Sequence, residues 1–300
     1  MEIDWNDLRY FLAVARNGRL TVAARWMGCD HATVSRRVTT LETALSSRLF
    51  ERSPRGYSLT EAGERLLTYA EQIESAAAEM QSRIAGENLA LSGAVRIGAP
   101  DGFGAFFLAP RIGDLMRRYP GLELQIVAMP RIFSLSKREA DIAISVARPR
   151  EGRLVSRKLT DYHLHLYAAT DYLAAHPPIV SRADLSDHAL IGYITDLIYA
   201  PELDYFDEVT DGRHVHLTSS NLIAQMRATQ AGAGLCILPD FMAVEAANLV
   251  PVLADEIALT RTFWLIVHAD LRDTVRVRTV ADFIAERVAA DRALFLSTAG

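Results

Sequence analysis

The side chains best suited to contact nucleic-acid bases are concentrated in one short stretch near the N-terminus. Asp30 is followed by apolar residues at helical spacing, which predicts that a helix begins there. The opposite face of its first turns carries imidazole, hydroxyl and guanidinium groups, which form hydrogen bonds with base edges in a major groove. The residues on that face are His31, Ala32, Ser35, Arg36 and Arg37. This face predicts a recognition helix.

A basic hairpin is predicted directly after this helix. Residues 49–52 and 57–59 have strand character, and the segment between them is Ser53-Pro54-Arg55-Gly56. Proline and glycine mark a tight turn. Arg52 and Arg55 belong to the hairpin tip, where guanidinium groups suit phosphates or the minor groove. The hairpin is therefore predicted to act as a wing beside the recognition helix.

Two further helices are needed to hold these groups in place. Apolar spacing predicts a first helix that ends at Asn17-Gly18, a short second helix capped by Thr21, and a turn at Gly28. The inward-facing residues of the three helices are Trp5, Leu8, Phe11, Leu12, Ala15, Ala23, Ala24, Met27, Val34, Val38, Leu41 and Leu45. The alternative is a plain three-helix bundle with solvated arginines. The short second helix, the glycine turn and the basic hairpin favour a winged helix-turn-helix that binds DNA.

Length and composition indicate a soluble globular protein of two or three domains. The 300 residues are 50% hydrophobic and 23% charged, and no apolar run approaches the roughly 18 residues of a transmembrane helix. Met1-Glu2-Ile3-Asp4 leads into an amphipathic pattern unlike a signal peptide, so we expect a cytoplasmic protein without membrane attachment. Cys29 and Cys236 are the only cysteines and predict neither a disulfide framework nor a cysteine-based zinc site.

Charge is divided unevenly along the chain. The net charge is −5, yet residues 1–60 hold nine arginines and six acidic residues, which gives +3. Residues 61–300 hold 23 basic and 31 acidic residues, which gives −8. A positive segment attached to an acidic remainder is typical of a polyanion-binding module joined to a domain of another kind.

A heptad pattern predicts a dimerising helix over residues 61–90. Thr60 caps this helix, and Glu61 and Glu64 suit the positive end of its dipole. Apolar residues then recur at spacings of 4, 3, 4, 3 and 4, an a/d seam of nearly three heptads. The residues of the seam are Leu66, Ala70, Ile73, Ala77, Met80 and Ile84. Packing against its own chain is the alternative. We favour a homodimer, whose two recognition helices would contact inverted half-sites on double-stranded DNA.

Short apolar strands alternate with helical patterns over the remaining two-thirds of the chain. Strands are predicted over residues 94–98, 122–127, 141–146, 163–169, 189–194, 213–217, 235–238 and 262–268. Helices are predicted over residues 107–119, from Asn221 onward, and over residues 275–295. This order predicts an α/β domain with a largely parallel sheet.

The N-terminal motifs resemble those of the LysR-type transcriptional regulators. They are Ala23-Ala24, Val34-Ser35-Arg36-Arg37-Val38, Leu41-Glu42, Leu49-Phe50-Glu51-Arg52 and Leu59-Thr60-Glu61-Ala62-Gly63, in the family's order and spacing. The resemblance implies a winged helix-turn-helix over residues 1–60, a dimerising linker helix over 61–90 and an effector-binding domain over 91–300. It implies DNA contacts from His31, Ala32, Ser35, Arg36, Arg52 and Arg55. His31 departs from the amide side chain usual at its position, which puts the preferred operator in question.

The C-terminal region resembles the family's effector domain, which is similar to a two-lobed periplasmic binding protein. The matching motifs are Arg96-Ile97-Gly98, Tyr119-Pro120, residues 140–144 and residues 231–239. The resemblance implies one lobe from residues 93–160 and 268–300, a second from 161–267, and two crossovers that let a cleft open and close. It also implies that a small molecule of unknown identity changes the spacing of DNA-binding heads in a homotetramer.

Three segments are predicted to line the effector cleft, because ligands gather beyond the carboxyl ends of strands and near helix N-termini. Their residues are Asp101, Gly102, Phe103, Arg131, Ser219, Ser220 and Asn221. The resemblance implies carboxylate-binding hydroxyl groups in the first and third segments, but the first has Asp101 instead. This carboxylate disfavours an anionic effector unless Arg131 or a cation offsets it. A cationic or neutral effector, no small ligand at all, or a plain capping role for Asp101 stay open.

Catalytic, cofactor and metal motifs do not emerge from the sequence. It has no Walker A loop or G-x-S-x-G elbow, and Gly232-Ala233-Gly234 leads into a strand, unlike a dinucleotide fingerprint. His163 with His165, and His214 with His216, would each share a strand face, but neither pair has a third metal ligand in an obvious motif. We predict a DNA-binding transcriptional regulator with no catalytic residues, cofactor or metal. The alternative is a small-molecule binding protein of the same architecture, which would have no use for the wing and recognition helix.

Overall fold

The structure is a computed structural model that describes residues 4–53, 56–85, 91–128, 140–149, 153–210 and 212–296. The chain divides into two units, one formed by residues up to 87 with 273–275 and the other by the remainder. The helix predicted as a linker belongs to the N-terminal unit. Among the described residues, no helix is both long and apolar enough to cross a bilayer.

The described part of the N-terminal unit consists of three short helices, a hairpin and a long fourth helix. They are α1 (Trp5–Asn17), α2 (Leu20–Met27), α3 (His31–Ala44), β1 (Phe50–Ser53), β2 (Gly56–Leu59) and α4 (Glu61–Ala85). Gly18 and Gly28 end α1 and α2 in the left-handed conformation, as the sequence predicts. The winged helix-turn-helix prediction is confirmed.

One local prediction in this unit is wrong. Thr21 does not cap α2, because the helix already begins at Leu20. The residue before it, Arg19, makes no capping hydrogen bond with its side chain. Gly18 ends α1 directly before Arg19, so α2 begins at once and Thr21 is the second residue of its first turn.

A single core joins these elements. Phe11 on α1 and Val34 and Leu41 on α3 are completely or almost completely buried in one shared cluster. Burying one such side chain contributes about 1.5–3 kcal/mol. The ring of Phe50 on β1 lies 5.3 Å from that of Phe11. The hairpin is therefore packed against α1.

The wing strands also contact the turn between α1 and α2. The main-chain N–H of Tyr57 donates to the carbonyl of Gly18 at 2.8 Å. Gly56 has a φ of +132°, and a Cβ there would lie 2.3 Å from the same carbonyl oxygen. That separation is far inside van der Waals contact, so only glycine allows this approach.

The second unit is built on one sheet of nine described strands. They are β3 (Ser92–Ala99), β4 (Gly121–Ala128), β5 (Ile142–Ser145), β6 (Leu154–Ala169), β7 (Leu190–Gly192), β8 (Leu217–Thr218), β9 (Leu235–Pro239), β10 (Leu249–Val252) and β11 (Ala258–His268). The helices are α5 (Ile112–Arg118), α6 (Thr170–Ala175), α7 (Phe206–Thr210), α8 (Leu222–Gln230), α9 (Asp240–Ala243), α10 (Val275–Ala290) and α11 (Arg292–Leu296). A π-helical turn spans Phe103–Leu108.

The prediction of a largely parallel sheet is wrong, because the sheet is mixed. Its order is β4-β3-β5-β11-β6-β9-β7-β8, and β10 pairs with β6. β3 runs parallel to β4 and β5, and β7 runs parallel to β8 and β9. β11 and β6 are antiparallel to each other and to their outer neighbours β5 and β9. The chain crosses from one half of the sheet to the other along β6 and returns along β11, which requires opposite directions.

Sequence patterns also missed several boundaries. The helix predicted over residues 107–119 divides into the π-helical turn and α5, because Pro110 lacks an N–H for helical bonding. The helix predicted over 275–295 divides at Asp291 into α10 and α11. Of the strand predicted over 213–217, only β8 forms at its end. β10 and the first half of β6 were not predicted.

Candidate functional site

Helix α3 presents its polar N-terminal face to solvent. The Asp30 carboxylate accepts hydrogen bonds from the main-chain nitrogen of Thr33 at 2.7 Å and from its hydroxyl at 3.0 Å. These bonds lower the pKa of Asp30, since they favour the charged carboxylate. His31, Ala32 and Arg36 are exposed, while Ser35 is half-buried. The first two turns of α3 are thus ordered and accessible.

The two arginines in the middle of α3 have different surroundings. The Arg37 guanidinium lies 3.1 Å from the buried carboxylate of Asp7 and 3.4 Å from Asp4. It also lies over the ring of Tyr10, 5.8 Å from its centroid. Arg36 is exposed, and no ion pair among the described residues involves it. Arg36 is therefore accessible to solvent, whereas Arg37 joins α3 to α1.

The C-terminal half of α3 positions the wing. One carboxylate oxygen of Glu42 accepts from the main-chain nitrogens of Leu49 and Phe50, at 2.8 and 3.3 Å. The other lies 3.7 Å from the Arg52 guanidinium, which also lies over the ring of Tyr57. Despite these contacts with Glu42 and Tyr57, more than half of the Arg52 side chain is exposed. Arg55 lies outside the described residues.

Helix α4 is attached to α1, and this corrects part of the predicted seam. Ala70 is buried in the core of its own chain, and Leu66 packs against the same core. Ala70 therefore offers no free surface to a second copy, and Leu66 is only partly exposed. On the described side chains of α4, the exposed apolar face consists of Tyr69, Ile73, Ala76, Ala77 and Met80. The side chain of Ile84 lies outside the part of the chain that the structure describes.

In the second unit, Asp101 connects the two halves of the sheet. It follows β3, and its carboxylate accepts from the main-chain nitrogen of Leu222 at 2.9 Å, where α8 begins. Helix α8 packs against β7 and β9 in the other half. Asp101 is only 4% exposed, and this burial raises its pKa although main-chain N–H groups of Leu222 and Gly102 favour the charged form. The first and third predicted cleft segments therefore meet.

Two residues predicted to contact an effector are core residues instead. Phe103 is fully buried, with its ring 4.9 Å from that of Phe263 and 5.1 Å from that of Phe107. Gly102 is buried as well, and a Cβ there would lie 2.5 Å from the Met242 sulfur. The aromatic residue fills the core because the π-helical turn points it inward. Arg131 lies outside the described residues.

The hydroxyl-rich segment before α8 forms hydrogen bonds within itself. The Ser219 hydroxyl accepts from the main-chain nitrogen of Asn221 at 3.1 Å. The Asn221 side chain accepts from the main-chain nitrogen of Ala224 at 2.8 Å and thereby caps α8. Ser220 is half-buried between them. These residues order the start of the helix that Asp101 contacts.

A buried polar cluster in the same unit escaped the sequence-based predictions. The Nδ1 atom of His165 lies 2.9 and 3.0 Å from the two carboxylate oxygens of Asp240, and the Tyr167 hydroxyl donates to one of them at 2.8 Å. Burial, followed by the charge of Asp240, raises the pKa of Tyr167. The sequence signal that could have indicated this cluster is the spacing of His165 and Tyr167, which are two residues apart and so share one face of β6. Among the described residues, no group of three or more His, Cys, Asp or Glu side chains is arranged to hold a metal ion.

Family models match both units of the chain. Residues 5–64 match the bacterial regulatory helix-turn-helix protein of the lysR family, and residues 89–289 match the LysR substrate binding domain. The chain belongs to the LysR family of transcriptional regulators. As a LysR-type protein it is a DNA-binding transcriptional regulator with an effector-binding domain, not an enzyme.

Relatives of this LysR-type chain match along nearly its whole length. The Mau operon transcriptional activator of Paracoccus denitrificans is 28% identical over 293 residues, which cover 96% of this chain and 99% of that protein. The transcriptional activator TtdR of Escherichia coli strain K12 is 27% identical and covers 93% of this chain and 92% of its own. The full-length structure of AphB from Vibrio cholerae is 26% identical with a TM-score of 0.54, covering 95% of this chain and 99% of its own.

The fold likeness extends to CrgA from Neisseria meningitidis. That LysR-type structure has a TM-score of 0.58 and 24% identity, and the match covers 96% of this chain and 99% of the other. At this identity the likeness concerns the fold alone. Over almost its whole length, this chain is therefore similar in fold to CrgA.

Proposed function

We propose that this LysR-type regulator binds inverted DNA half-sites as a homodimer or homotetramer and changes its geometry when a small molecule enters the second unit. The observation that carries the DNA part is the exposed N-terminal face of α3. Arg36 lies there on an ordered helix with its guanidinium accessible. A guanidinium forms two hydrogen bonds with guanine in a major groove.

The surrounding groups support this docking. His31 supplies a second donor near the start of α3, and Ala32 is small enough to contact a thymine methyl group. Arg52 extends from the wing, where a positive charge suits the phosphate backbone or the minor groove. Arg55 would act beside it. Arg37 has a structural role in this proposal, because its guanidinium already pairs with Asp7.

Self-association through α4 would bring two recognition helices onto one duplex. Tyr69, Ile73, Ala76 and Met80 recur at spacings of 4, 3 and 4, so they line one helical stripe. Tyr69 is 63% and Met80 56% exposed in the single chain, which is unusual for such large apolar side chains on a structured helix. A second α4 would cover them. A dimer with two-fold symmetry fits an inverted repeat, because its two recognition helices contact equivalent half-sites.

The proposal that the second unit responds to a small-molecule effector rests on its mixed sheet. β6 and β11 run through both halves, and the remaining strands lie on one side or the other of this pair. A small molecule between the halves would favour one relative arrangement over another. That change would alter the spacing of the DNA-binding heads. Because its target is chromosomal DNA, the protein would act in the cytoplasm.

The experiment that tests this function is capture of sheared genomic DNA from the source organism by the purified full chain, followed by sequencing. We expect enrichment of a few intergenic sites that contain inverted half-sites. The Arg36→Ala variant is the matched control and should retain only unspecific, salt-sensitive binding. Equal recovery by both proteins would refute the assignment of α3 as the recognition element.

A footprint on one enriched site then tests the oligomer. A dimer should protect two half-sites about one helical turn apart, centre to centre. Protection of a single half-site at concentrations where the protein is dimeric would contradict the proposal.

A further inference from the structure

The side chain of Arg19 lies beside the wing, although this residue belongs to the turn between α1 and α2. The preceding residue, Gly18, accepts the hydrogen bond from the main-chain nitrogen of Tyr57 on β2 at 2.8 Å. A Cβ placed on Gly56, at the tip end of β2, would lie 3.6 Å from the Cγ atom of Arg19. The stem of this arginine is therefore within van der Waals reach of the hairpin.

The charge of Arg19 is not used within the protein. The residue is exposed, and its side chain forms no hydrogen bond or ion pair with any residue that the structure describes. Arg52, whose side chain is also more than half exposed, lies on β1. The wing thus carries one accessible arginine on its first strand and has a second one beside its other strand.

Arg19 also occupies a position at which arginine costs stability. It is the N-cap residue of α2, with extended backbone angles and no capping hydrogen bond from its side chain. A good N-cap side chain accepts a hydrogen bond from the first turn, but a guanidinium carries only donors. Its positive charge also lies at the positive end of the helix dipole. A residue that breaks a local rule at an exposed position is one for which a functional role is expected.

Docking of a helix-turn-helix brings this position to the DNA backbone. The second helix of the motif enters the major groove, here α3, while the first helix crosses the phosphate backbone, here α2. The start of α2 lies next to the wing, which is itself suited to phosphates. A guanidinium matches a phosphate group with two parallel hydrogen bonds.

We propose that the guanidinium of Arg19 binds a backbone phosphate beside the wing, and so supplies affinity and orientation without reading a base. This inference rests on the docking proposed above for α3 and the wing, which brings α2 to the same duplex.

Anisotropy titrations of the full chain test the contact on two duplexes of equal length, one with an enriched operator and one of unrelated sequence. Arg19→Ser should lower affinity for both by the same factor, about tenfold, because phosphates are alike in every sequence. The plot of log affinity against log salt should become shallower by about one unit per bound subunit. Unchanged affinity would overturn the proposal, and so would a loss confined to the operator, which would mean a base contact.

Two further substitutions separate the local charge from net charge. Arg19→Lys keeps a positive charge near the phosphate, so most of the affinity and the salt slope should be retained. Arg65→Ser removes the same charge from α4, where Arg65 pairs with Glu61, and should leave both quantities unchanged. The contact is refuted if Arg65→Ser flattens the slope as much as Arg19→Ser does, or if Arg19→Lys behaves like Arg19→Ser.

Amide hydrogen exchange of the free protein distinguishes a DNA contact from a purely structural role. Serine can cap α2, so the amides of α2 should exchange no faster in Arg19→Ser than in the wild type, and those of β2 should be unchanged. Weaker DNA binding would then accompany a helix start that is at least as stable, as expected for loss of a direct contact. Faster exchange in α2 or β2 would mean that Arg19 holds the wing in place, and it would overturn the proposal.

The same titrations separate this inference from the proposed function. Arg36→Ala should lose the preference for the operator but keep its binding to the unrelated duplex. If it does so and Arg19→Ser binds like the wild type, the inference fails while the proposed function stands. If Arg19→Ser weakens binding to both duplexes and Arg36→Ala still prefers the operator, the phosphate contact stands and the assignment of α3 fails.

Discussion

The guanidinium of Arg16 meets the carboxylate of Glu74 in two hydrogen bonds of 3.1 and 2.6 Å, and this pair joins α1 to α4. Glu71 lies 3.8 Å from the same guanidinium. A two-pronged contact of this kind fixes the orientation of both partners. The long helix that we propose as the dimer contact is thereby held against α1, within the unit that also carries the recognition helix.

Breaking this pair should weaken the N-terminal unit. We expect Arg16→Ala to lower the free energy of unfolding by about 1 kcal/mol, because the contact is two-pronged and half-buried. Arg65→Ala is the matched control, since Arg65 pairs with Glu61 on the exposed side of α4 and should change little. Urea denaturation measures both. Equal losses in the two variants would show that the geometry of the Arg16 pair has no special effect.

Substitutions of the neighbouring residues Arg36 and Arg37 should change different properties. The first should lower DNA affinity and the second should lower stability. Arg36→Ala should reduce specific operator affinity by at least about tenfold, because a guanine contact contributes about 1–3 kcal/mol. Its thermal stability should stay unchanged. Arg37→Ala should lower the free energy of unfolding by about 1–3 kcal/mol, because the buried Asp7 carboxylate loses a hydrogen bond. Anisotropy titrations and thermal melts distinguish the two, and loss of stability in Arg36→Ala would contradict the assignment.

A substitution of the exposed Met80 tests the proposed dimer face without disturbing the core. Met80→Glu should shift the protein from dimer to monomer in analytical ultracentrifugation and lower operator affinity, because two like charges would face each other across the contact. Met116→Glu introduces the same change at another exposed methionine, on α5, and should leave the dimer intact. A Leu66 variant would be less informative, since Leu66 packs within its own chain. A Met80→Glu protein that stays dimeric would rule out this face.

Asp30 should make the stability of α3 depend on pH. Hydrogen bonds from Thr33 hold its folded pKa below the ordinary 3.8, so its stabilising effect is fully present above that value. The effect is lost as the pH falls through the lowered pKa. Asp30→Asn keeps a capping oxygen without the titrating charge, so its melting temperature should fall less steeply with pH than that of the wild type. Parallel slopes for the two proteins would show that the cap does not titrate.

The N-terminal unit could be predicted well because its signals are local. Asp30, Gly18 and Gly28 mark helix ends within a few residues of the turns they stabilise, and the structure confirms all three. The apolar spacing of α4 was less decisive. Periodicity shows that Leu66 and Ala70 must be covered, but it does not distinguish a partner helix from α1 of the same chain. The exposed stripe consequently begins at Tyr69 instead.

The second unit was harder to predict because its determining contacts are distant in sequence. Nothing near Asp101 indicates that its carboxylate caps a helix more than a hundred residues away. β6 was recognised only from residue 163 onward, next to the continuously buried run of residues 164–169. Its first half alternates exposed and half-buried residues, and the strand pairs there with β11, which lies far along the chain. Local patterns predicted the α/β class and parts of β6 and β11, but not that these two strands cross between the halves of the sheet.

The contact between Gly56 and Gly18 bears on the thermodynamics of DNA binding. Together with the Glu42 hydrogen bonds, it orders the wing strands against the helices within the single chain. A segment that becomes ordered only on binding loses conformational entropy at that moment, which weakens affinity. Here that loss occurs on folding, so in the proposed DNA complex the strands that carry Arg52 would already be in place. Exchanging Gly56 for any other residue would transfer this entropic cost from folding to recognition.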